Sequence, residues 1–245
     1  MQFQLELAAE GGAETPGMAA PSQAKQLECA EKLPDGAVIR LRLIRHDDEP
    51  LLQDLAAHMT PEDLRLRFFA AMRGLTHELA AQLSHIDHDR DAAVLAFAED
   101  AEEVLGVARF SADPDHRIAE FAIAVRSDRK RHGLGHLLMA RLIQLARQRD
   151  IDALVGEVLP ENAAMLKLCR EFGFTVTIDP RDPKLRLASK TLQDPRSSSA
   201  GGGRVRSFLL HEDYRSRRVE GIVSMAISPD FCFPIVNERV SRDRL

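Results

Sequence analysis

Alternating and helical patterns of apolar residues divide the middle of the chain into short elements. Residues 38–44 alternate apolar and basic side chains, the period of a half-buried strand. Three helices should follow, begun by Asp47, by Thr60 with Pro61, and by Thr76, because these residues favour helix starts. The pattern then changes to three consecutive short strands, which predicts an antiparallel meander, at 92–97, 104–110 and 118–125.

The second part of the patterned region predicts helices and strands in turn. A helix from Gly135 to Arg149 precedes a strand at 153–159, and a helix from Asn162 to Glu171 precedes strands at 174–178 and 185–192. This order predicts a mixed α/β fold. Its central sheet should be mixed but mostly antiparallel, with six to seven strands and helices on both faces.

Composition changes at both ends of the patterned region. Residues 8–36 and 193–207 are poor in branched apolar side chains and rich in Gly, Ser, Pro and charge. We therefore predict a flexible N-terminal extension at 1–37, a folded domain at 38–192, a Ser/Gly linker at 193–203 and a C-terminal tail of unknown role at 204–245.

Charge and cysteine content narrow the classes of function. A net charge of −5 gives no general attraction to nucleic acid. The absence of an apolar run of 18 residues and of a signal-like start predicts a cytoplasmic protein with no membrane partner. Three widely spaced cysteines without a CxxC motif argue against a disulfide framework and a zinc site.

A basic, glycine-containing turn (residues 126–135) joins the predicted strand 118–125 to the next helix. Such a turn presents unpaired backbone N–H groups and the positive end of the helix dipole at one place. Gly133 and Gly135 let the backbone approach an anion, while Arg129, Lys130 and Arg131 add positive charge. The turn therefore predicts a phosphate site, and the alternative is a basic turn without a ligand. Neither a P-loop nor a GxGxxG motif is present.

The pattern Lys130-x-x-Gly133-x-Gly135 resembles the pyrophosphate loop of the GNAT superfamily of CoA-dependent N-acyltransferases. Further segments, in chain order, resemble the bacterial Pat-type protein lysine acetyltransferases: 60–69, 86–90, 119–122, 156–162 with 165–166, and 172–174. The resemblance covers about 38–192. It implies the GNAT fold, acetyl-CoA as acyl donor without a metal, and a lysine side chain of a protein as acceptor.

The resemblance also implies which residues hold the donor. In the family, the loop amides bind the CoA pyrophosphate, the preceding strand pairs with the pantetheine, and an asparagine reaches the CoA arm. These contacts fall on Ala124, Val125, Arg126, Lys130, Arg131, His132, Gly133, Leu134, Gly135 and Asn162.

Glu120 is the candidate general base. A lysine ammonium, with a reference pKa of about 10.4, must lose a proton before it attacks a thioester. Glu120 lies between apolar residues of its strand, where we expect partial burial to raise its pKa, and the family carries a glutamate on this strand. The alternative is a solvent-facing glutamate on a sheet edge. Backbone N–H groups near Val125 are candidates for stabilising the thioester oxyanion.

Several other side chains have alternative interpretations. Many GNAT enzymes use a tyrosine as general acid, but Cys169 occupies that place and the only tyrosine, Tyr214, lies in the tail. Water can protonate a thiolate instead, and we interpret Cys169 as helix packing rather than a nucleophile. Arg65 and Arg67 either guide an acidic substrate or are solvated helix charges. A cluster near the third helix is interpreted as helix-end caps rather than a metal site: His85, Asp87, His88 and Asp89.

Two other functions remain open at this point. The same fold could acetylate a small amine, such as a polyamine or an amino acid, or it could bind acyl-CoA without catalysis as a regulatory module. The expected partners are acyl-CoA and a protein substrate, and the chain is expected to be a monomer or a homodimer.

Overall fold

Eight strands and five α-helices make up residues 28–192, the part of the chain that the computed structural model describes. The strands are Cys29–Lys32 (β1), Val38–Leu43 (β2), Asp91–Ala98 (β3), Val104–Ala112 (β4), Ile118–Val125 (β5), Ala153–Val158 (β6), Thr175–Ile178 (β7) and Arg186–Thr191 (β8). The helices are Glu49–Ala57 (α1), Pro61–Phe68 (α2), His77–Ser84 (α3), Leu134–Gln148 (α4) and Ala163–Glu171 (α5). The predicted linker and tail, and most of the predicted extension, lie outside the described residues.

All eight strands belong to one sheet with the order β1-β2-β3-β4-β5-β6-β8-β7. Every neighbouring pair is antiparallel except β5 and β6, which run parallel. The predicted mixed, mostly antiparallel sheet with flanking helices is confirmed, with one strand more than the six to seven expected.

The additional strand, β1, lies within the segment that we predicted to be a flexible extension. Its residues pair antiparallel with β2, from Cys29 opposite Leu41 to Lys32 opposite Val38. A tight turn closes this hairpin, with the Leu33 N–H donating to the Ala37 carbonyl at 2.8 Å. The folded region therefore begins before residue 38. The four residues of β1 carry no pronounced apolar alternation, so only the pairing with β2 reveals the strand.

Helices cover both faces of the sheet and form a separate apolar core on each. On one face, α4 and α5 pack against the sheet through Leu138, Met139, Leu142, Leu166 and Cys169. On the other face, α1, α2 and α3 supply Leu52, Leu55, Leu64, Phe68 and Leu83. Successive residues of β3 alternate between the cores, Val94 facing the first and Leu95 the second, because side chains alternate along a strand.

Most helix starts lie where the sequence predicts them. Thr60 accepts a hydrogen bond from the Asp63 N–H at 3.2 Å, and Thr76 accepts one from the Leu79 N–H at 3.2 Å. The first helix differs, because a short 3₁₀ turn precedes α1 and Asp48, not Asp47, stands at its N-cap. None of the described helices is long and apolar enough to cross a membrane.

Candidate active site

Strands β5 and β6 separate from each other after a short paired region. Parallel pairing ends at Glu120, which lies opposite Val155. Beyond this point β5 continues beside β4, and β6 continues beside β8. The Arg126 N–H donates to the Leu105 carbonyl of β4 at 2.9 Å, so by alternation the backbone groups of Val125 and Ile123 face away from β4. They face the space that opens between β5 and β6, which we call the gap.

The basic turn between β5 and α4 presents consecutive unpaired backbone amides. Among the described residues, the N–H groups from Lys130 to His136 donate to no protein acceptor, and the first bond of α4 runs from the Leu137 N–H to the Gly133 carbonyl at 3.0 Å. Arg131 and Gly133 have left-handed φ values of 69° and 91°. Turns of this kind direct successive amides toward one point and commonly bind anions. The amides of the predicted phosphate site therefore have no acceptor within residues 28–192.

The side chains predicted to contact the donor are less free than the amides. Arg126 is buried, with hydrogen bonds to Asp128 at 2.8 and 2.9 Å and an ion pair with Glu103. Lys130 and His132 are exposed but paired with carboxylates, Lys130 with Asp63 and His132 with Asp35 at 2.9 Å. Arg131 is exposed. The backbone amides of the turn are therefore available to an anion, whereas most of its cationic side chains already pair with carboxylates.

The two glycines of the turn are not equivalent. A Cβ atom added at Gly133 would lie 2.9 Å from the Cδ atom of Pro34 in the β1–β2 hairpin, and its left-handed φ also disfavours a side chain. A Cβ atom at Gly135 would make an ordinary contact with Leu168 at 3.7 Å. Between the two glycines, Leu134 is buried in the core below α4. Gly133, rather than Gly135, is required by the shape of the turn.

Asn162 lies after β6, and the basic turn lies after β5. Because β5 and β6 are parallel, the two features flank the carboxyl end of the gap. The side-chain oxygen of Asn162 accepts a hydrogen bond from the Met165 N–H at 3.1 Å and so caps α5. The side chain is half-buried.

Glu120 lies at the last paired position of β5, where the gap begins. It is half-buried, and β5 is an interior strand, so Glu120 does not stand on a sheet edge. Ala122, two residues later, packs in the core below α1 to α3, which places the Glu120 side chain on that face. There it interacts electrostatically with Arg67 of α2 and Arg109 of β4.

A pocket on the same face lies between the sheet and the helices α1 to α3. Its empty space is about 430 Å³, including the part that is open to solvent. The walls from the helical layer are mostly apolar and include Met59, Phe68, Leu75 and Leu83. The sheet contributes Val107, Arg109 and Ala124, and Ala124 is one of the residues predicted to contact the donor. The pocket therefore reaches the strand that borders the gap.

Arg67 and Arg109 are the charged residues that line this pocket. Within residues 28–192, the Arg67 Nη1 and Arg109 Nε atoms are buried and have no hydrogen-bond partner. Burial, reinforced by the nearby Arg109 and opposed by Glu120, lowers the pKa of Arg67 to about 9. From the sequence, Arg67 was interpreted either as a guide for an acidic substrate or as a solvated helix charge, and Arg109 was not selected. The available signal was a lone arginine within the apolar run of β4.

The remaining candidates have structural positions. Cys169 is fully buried in the core below α4 and α5, and burial raises the pKa of its thiol to about 12. The His46 ring lies 5.0 Å from that of His85 and 5.6 Å from that of His88, yet the described residues include no group of three side chains that could hold a metal ion. Tyr214 lies outside the described residues.

Comparison with known proteins identifies the class. Residues 57–174 match the model of the acetyltransferase (GNAT) family. The acetyltransferase PA5475 of Pseudomonas aeruginosa is 27% identical over 154 residues, which are 62% of this chain and 83% of that protein. The GNAT domain of S. lividans PAT has a TM-score of 0.63 and 24% identity, covering 67% of this chain and 97% of that one. The structure of yncA from Salmonella typhimurium with its cofactor acetyl-CoA has a TM-score of 0.51 and 21% identity, covering 66% and 98%.

The family match over residues 57–174 and the shared fold indicate that the described domain is an acetyl-CoA-dependent N-acetyltransferase with the GNAT fold. The predicted fold and enzyme class are confirmed, and the resemblance to Pat-type enzymes is supported weakly, by the S. lividans domain.

Proposed function

We propose that the domain transfers the acetyl group of acetyl-CoA directly to a primary amine, with Glu120 as general base. The observation that carries this proposal is the run of unpaired amides from Lys130 to His136 at the carboxyl end of the gap. Unpaired amides at the start of a helix bind phosphate oxygens, because their dipoles point at the anion and the helix dipole adds to them. The carboxylate of Glu120 lies at the other end of the β5 segment that does not pair with β6.

The donor would lie along the gap. In this arrangement the pyrophosphate accepts hydrogen bonds from the amides between Arg131 and Gly135, with the exposed Arg131 side chain beside it. The pantetheine pairs with the outward-facing backbone of Ile123 and Val125, as an added strand would. Arg126 contributes through its backbone, because Asp128 and Glu103 hold its side chain. Ala124 lines the pocket wall, and Asn162 lies across the gap.

The chemistry needs one base and one hydrogen-bond donor. The amine nitrogen attacks the thioester carbonyl, the C–N bond forms, and the C–S bond breaks to release CoA as a thiolate. Glu120 accepts the proton from the amine, and the Val125 N–H stabilises the carbonyl oxygen as it becomes negative. Water protonates the thiolate, because Cys169 is buried in the core and holds its proton with a pKa of about 12.

Two classes of acceptor are supported by different observations. The sequence segments that resemble Pat-type enzymes support a lysine side chain on a protein. The pocket near Glu120 supports a small amine, because it is a concave, mostly apolar space that borders β5, the strand that carries Glu120.

Labelled acetyl-CoA tests the proposal. The full-length protein is incubated with radiolabelled acetyl-CoA together with a cell lysate, and in a second reaction together with the small-molecule fraction of that lysate. Labelled protein bands support a protein acceptor, and a labelled product in the small-molecule fraction supports a small amine. Absence of acetyl-CoA binding by calorimetry would contradict the proposed donor site.

A further inference from the structure

Two arginine side chains in the pocket lack the partners that a buried guanidinium requires. Arg109 is 8% exposed, and its Nε atom has no hydrogen-bond partner. Its other contacts are long, with Nη1 3.4 Å from the Leu83 carbonyl and Nη2 4.0 Å from a carboxylate oxygen of Asp91. The Arg67 Nη1 atom is also buried and unpaired.

Another buried arginine of the same domain shows what a satisfied pair looks like. Arg42 donates two hydrogen bonds to Asp48, at 2.6 and 2.7 Å, and both residues are buried. That bidentate geometry is the usual way to hold a guanidinium away from water. The Arg67 Nη1 and Arg109 Nε atoms have no acceptor among the described residues, although both guanidinium groups interact with Glu120 electrostatically. Their free donors are therefore available to a ligand.

The charge of the pocket selects among acceptors. The charged groups that line the pocket are the guanidinium groups of Arg67 and Arg109, and the nearby carboxylates of Glu120 and Asp91 offset part of their positive charge. A polyamine, or a lysine side chain inserted without a compensating anion, would be repelled there. A carboxylate would receive charge-assisted hydrogen bonds from the unpaired Nη1 and Nε atoms.

The rest of the wall is apolar. Met59 and Leu75 line the pocket beside Phe68. A ligand that fits all of these features has a carboxylate, an amine close to it and an apolar side chain.

We propose that Arg67 and Arg109 bind the carboxylate of a free apolar amino acid, which places its α-amine near Glu120 for acetylation. This proposal rests on the N-acetyltransferase function proposed above and names its acceptor class. The C–N bond forms at the α-amine, the C–S bond of acetyl-CoA breaks, and Glu120 receives the amine proton. The products are an N-acetyl amino acid and CoA.

Matched pairs of acceptors test the carboxylate. With the full-length protein and saturating acetyl-CoA, we expect kcat/KM for leucine and methionine to exceed that for leucinamide and methioninamide by about 100-fold or more, because the amides leave the arginines unpaired. Spermidine and a lysine-containing peptide should be poorer acceptors than either amino acid.

Two variants test the arginines themselves. Arg67→Gln should raise KM for the amino acids by about 10-fold or more and reduce the preference over the amides, while the Kd for acetyl-CoA stays unchanged. Arg109→Lys keeps a buried cation and should show the same loss of preference if bidentate recognition is needed. Arg65→Gln is the matched control, because Arg65 lies on the same helix but pairs with Glu62 and Glu161 at the surface.

The outcomes separate the two proposals. Equal turnover of acids and amides, or a lysine peptide acetylated best and unaffected by Arg67→Gln, would overturn the amino-acid proposal and leave the N-acetyltransferase function intact. Acetyl-CoA binding without transfer to any amine of the panel would overturn both.

Discussion

Lys130, in the basic turn before α4, forms an ion pair with Asp63 in the first turn of α2. The Ser127 hydroxyl donates to the same carboxylate, and its oxygen accepts a hydrogen bond from the Thr60 N–H at 2.8 Å. Although burial acts to raise it, hydrogen bonds from Lys130 and Ser127 hold the pKa of Asp63 below its ordinary value. The turn that we propose to bind the donor is therefore fixed to the helix that covers the pocket.

Asp63→Asn should loosen this connection. We expect the Kd for acetyl-CoA to rise several-fold and the free energy of unfolding at pH 7 to fall by about 1 kcal/mol, because charge-assisted hydrogen bonds are lost. Calorimetric titration and urea denaturation measure the two effects. Glu62→Gln is the control, since its ion pair with Arg65 is at the surface and should contribute little.

The contact between Asp63 and Lys130 predicts that the free energy of unfolding depends on pH. Because the folded-state pKa of Asp63 lies below its ordinary value of 3.8, its contribution is complete above that value and is lost as pH falls through the lower, folded-state pKa. The difference in unfolding free energy between the original protein and Asp63→Asn should therefore shrink below pH 3.8. A difference that stayed constant into that acid range would contradict this account.

Glu120→Gln tests the general base. The amide keeps the size of the side chain but cannot accept the amine proton, so we expect kcat to fall by about 10²- to 10⁴-fold. The Kd for acetyl-CoA should stay within about two-fold, because the proposed donor site consists mainly of backbone amides away from Glu120. Single-turnover kinetics and calorimetry separate the two quantities. Unchanged turnover would remove Glu120 from the mechanism.

Gly133→Ala tests the shape of the basic turn. The added methyl group would meet Pro34 at 2.9 Å in a left-handed backbone conformation, so the turn must shift. We expect acetyl-CoA affinity to fall by about 10-fold or more and stability by about 1 kcal/mol or more. Gly74→Ala is the control, since a Cβ atom there would meet nothing within 4 Å. Equal effects of the two substitutions would show that the turn does not need glycine at this position.

The lowered pKa of Arg67 predicts weaker binding of the acceptor at alkaline pH. Its pKa of about 9 in the folded protein reflects burial and the nearby Arg109, against the opposing charge of Glu120. As pH rises through that value the guanidinium loses its charge, so KM for an amino acid should increase above pH 9. A bound carboxylate would itself favour the charged form and move the midpoint upward. The pH profile of kcat/KM checks this, and Arg67→Gln should abolish the alkaline rise in KM.

Local sequence signals predicted most of the fold. Thr60 and Thr76 mark helix starts through their own hydroxyl groups, and the basic turn is recognisable because its glycines and the following helix are contiguous in sequence. The short strand β1 was missed because its pairing with β2, rather than its own pattern, defines it. Asp48 was also missed, because its role depends on a hydrogen-bonded contact with Arg42 that the sequence pattern does not show.

The pocket was harder to predict than the turn. The burial of Arg67 and Arg109 depends on α2 packing over the sheet at β5, two elements far apart in the chain. Whether an arginine is paired or unpaired depends on where carboxylates of other elements lie, and an individual residue pattern does not contain this information. Glu120 was selected from its strand, but its closeness to two guanidinium groups appears only in three dimensions.

The early separation of β5 and β6 has a mechanical consequence. Strands β1 to β5 and strands β6, β8 and β7 are two half-sheets whose direct strand pairing involves only residues 118–120 and 153–155. A donor seated between them would extend the shared hydrogen bonding across the gap. Backbone amides of β6 should then exchange with deuterium more slowly when acetyl-CoA is bound. Bound acetyl-CoA would then take the place of a strand between β5 and β6.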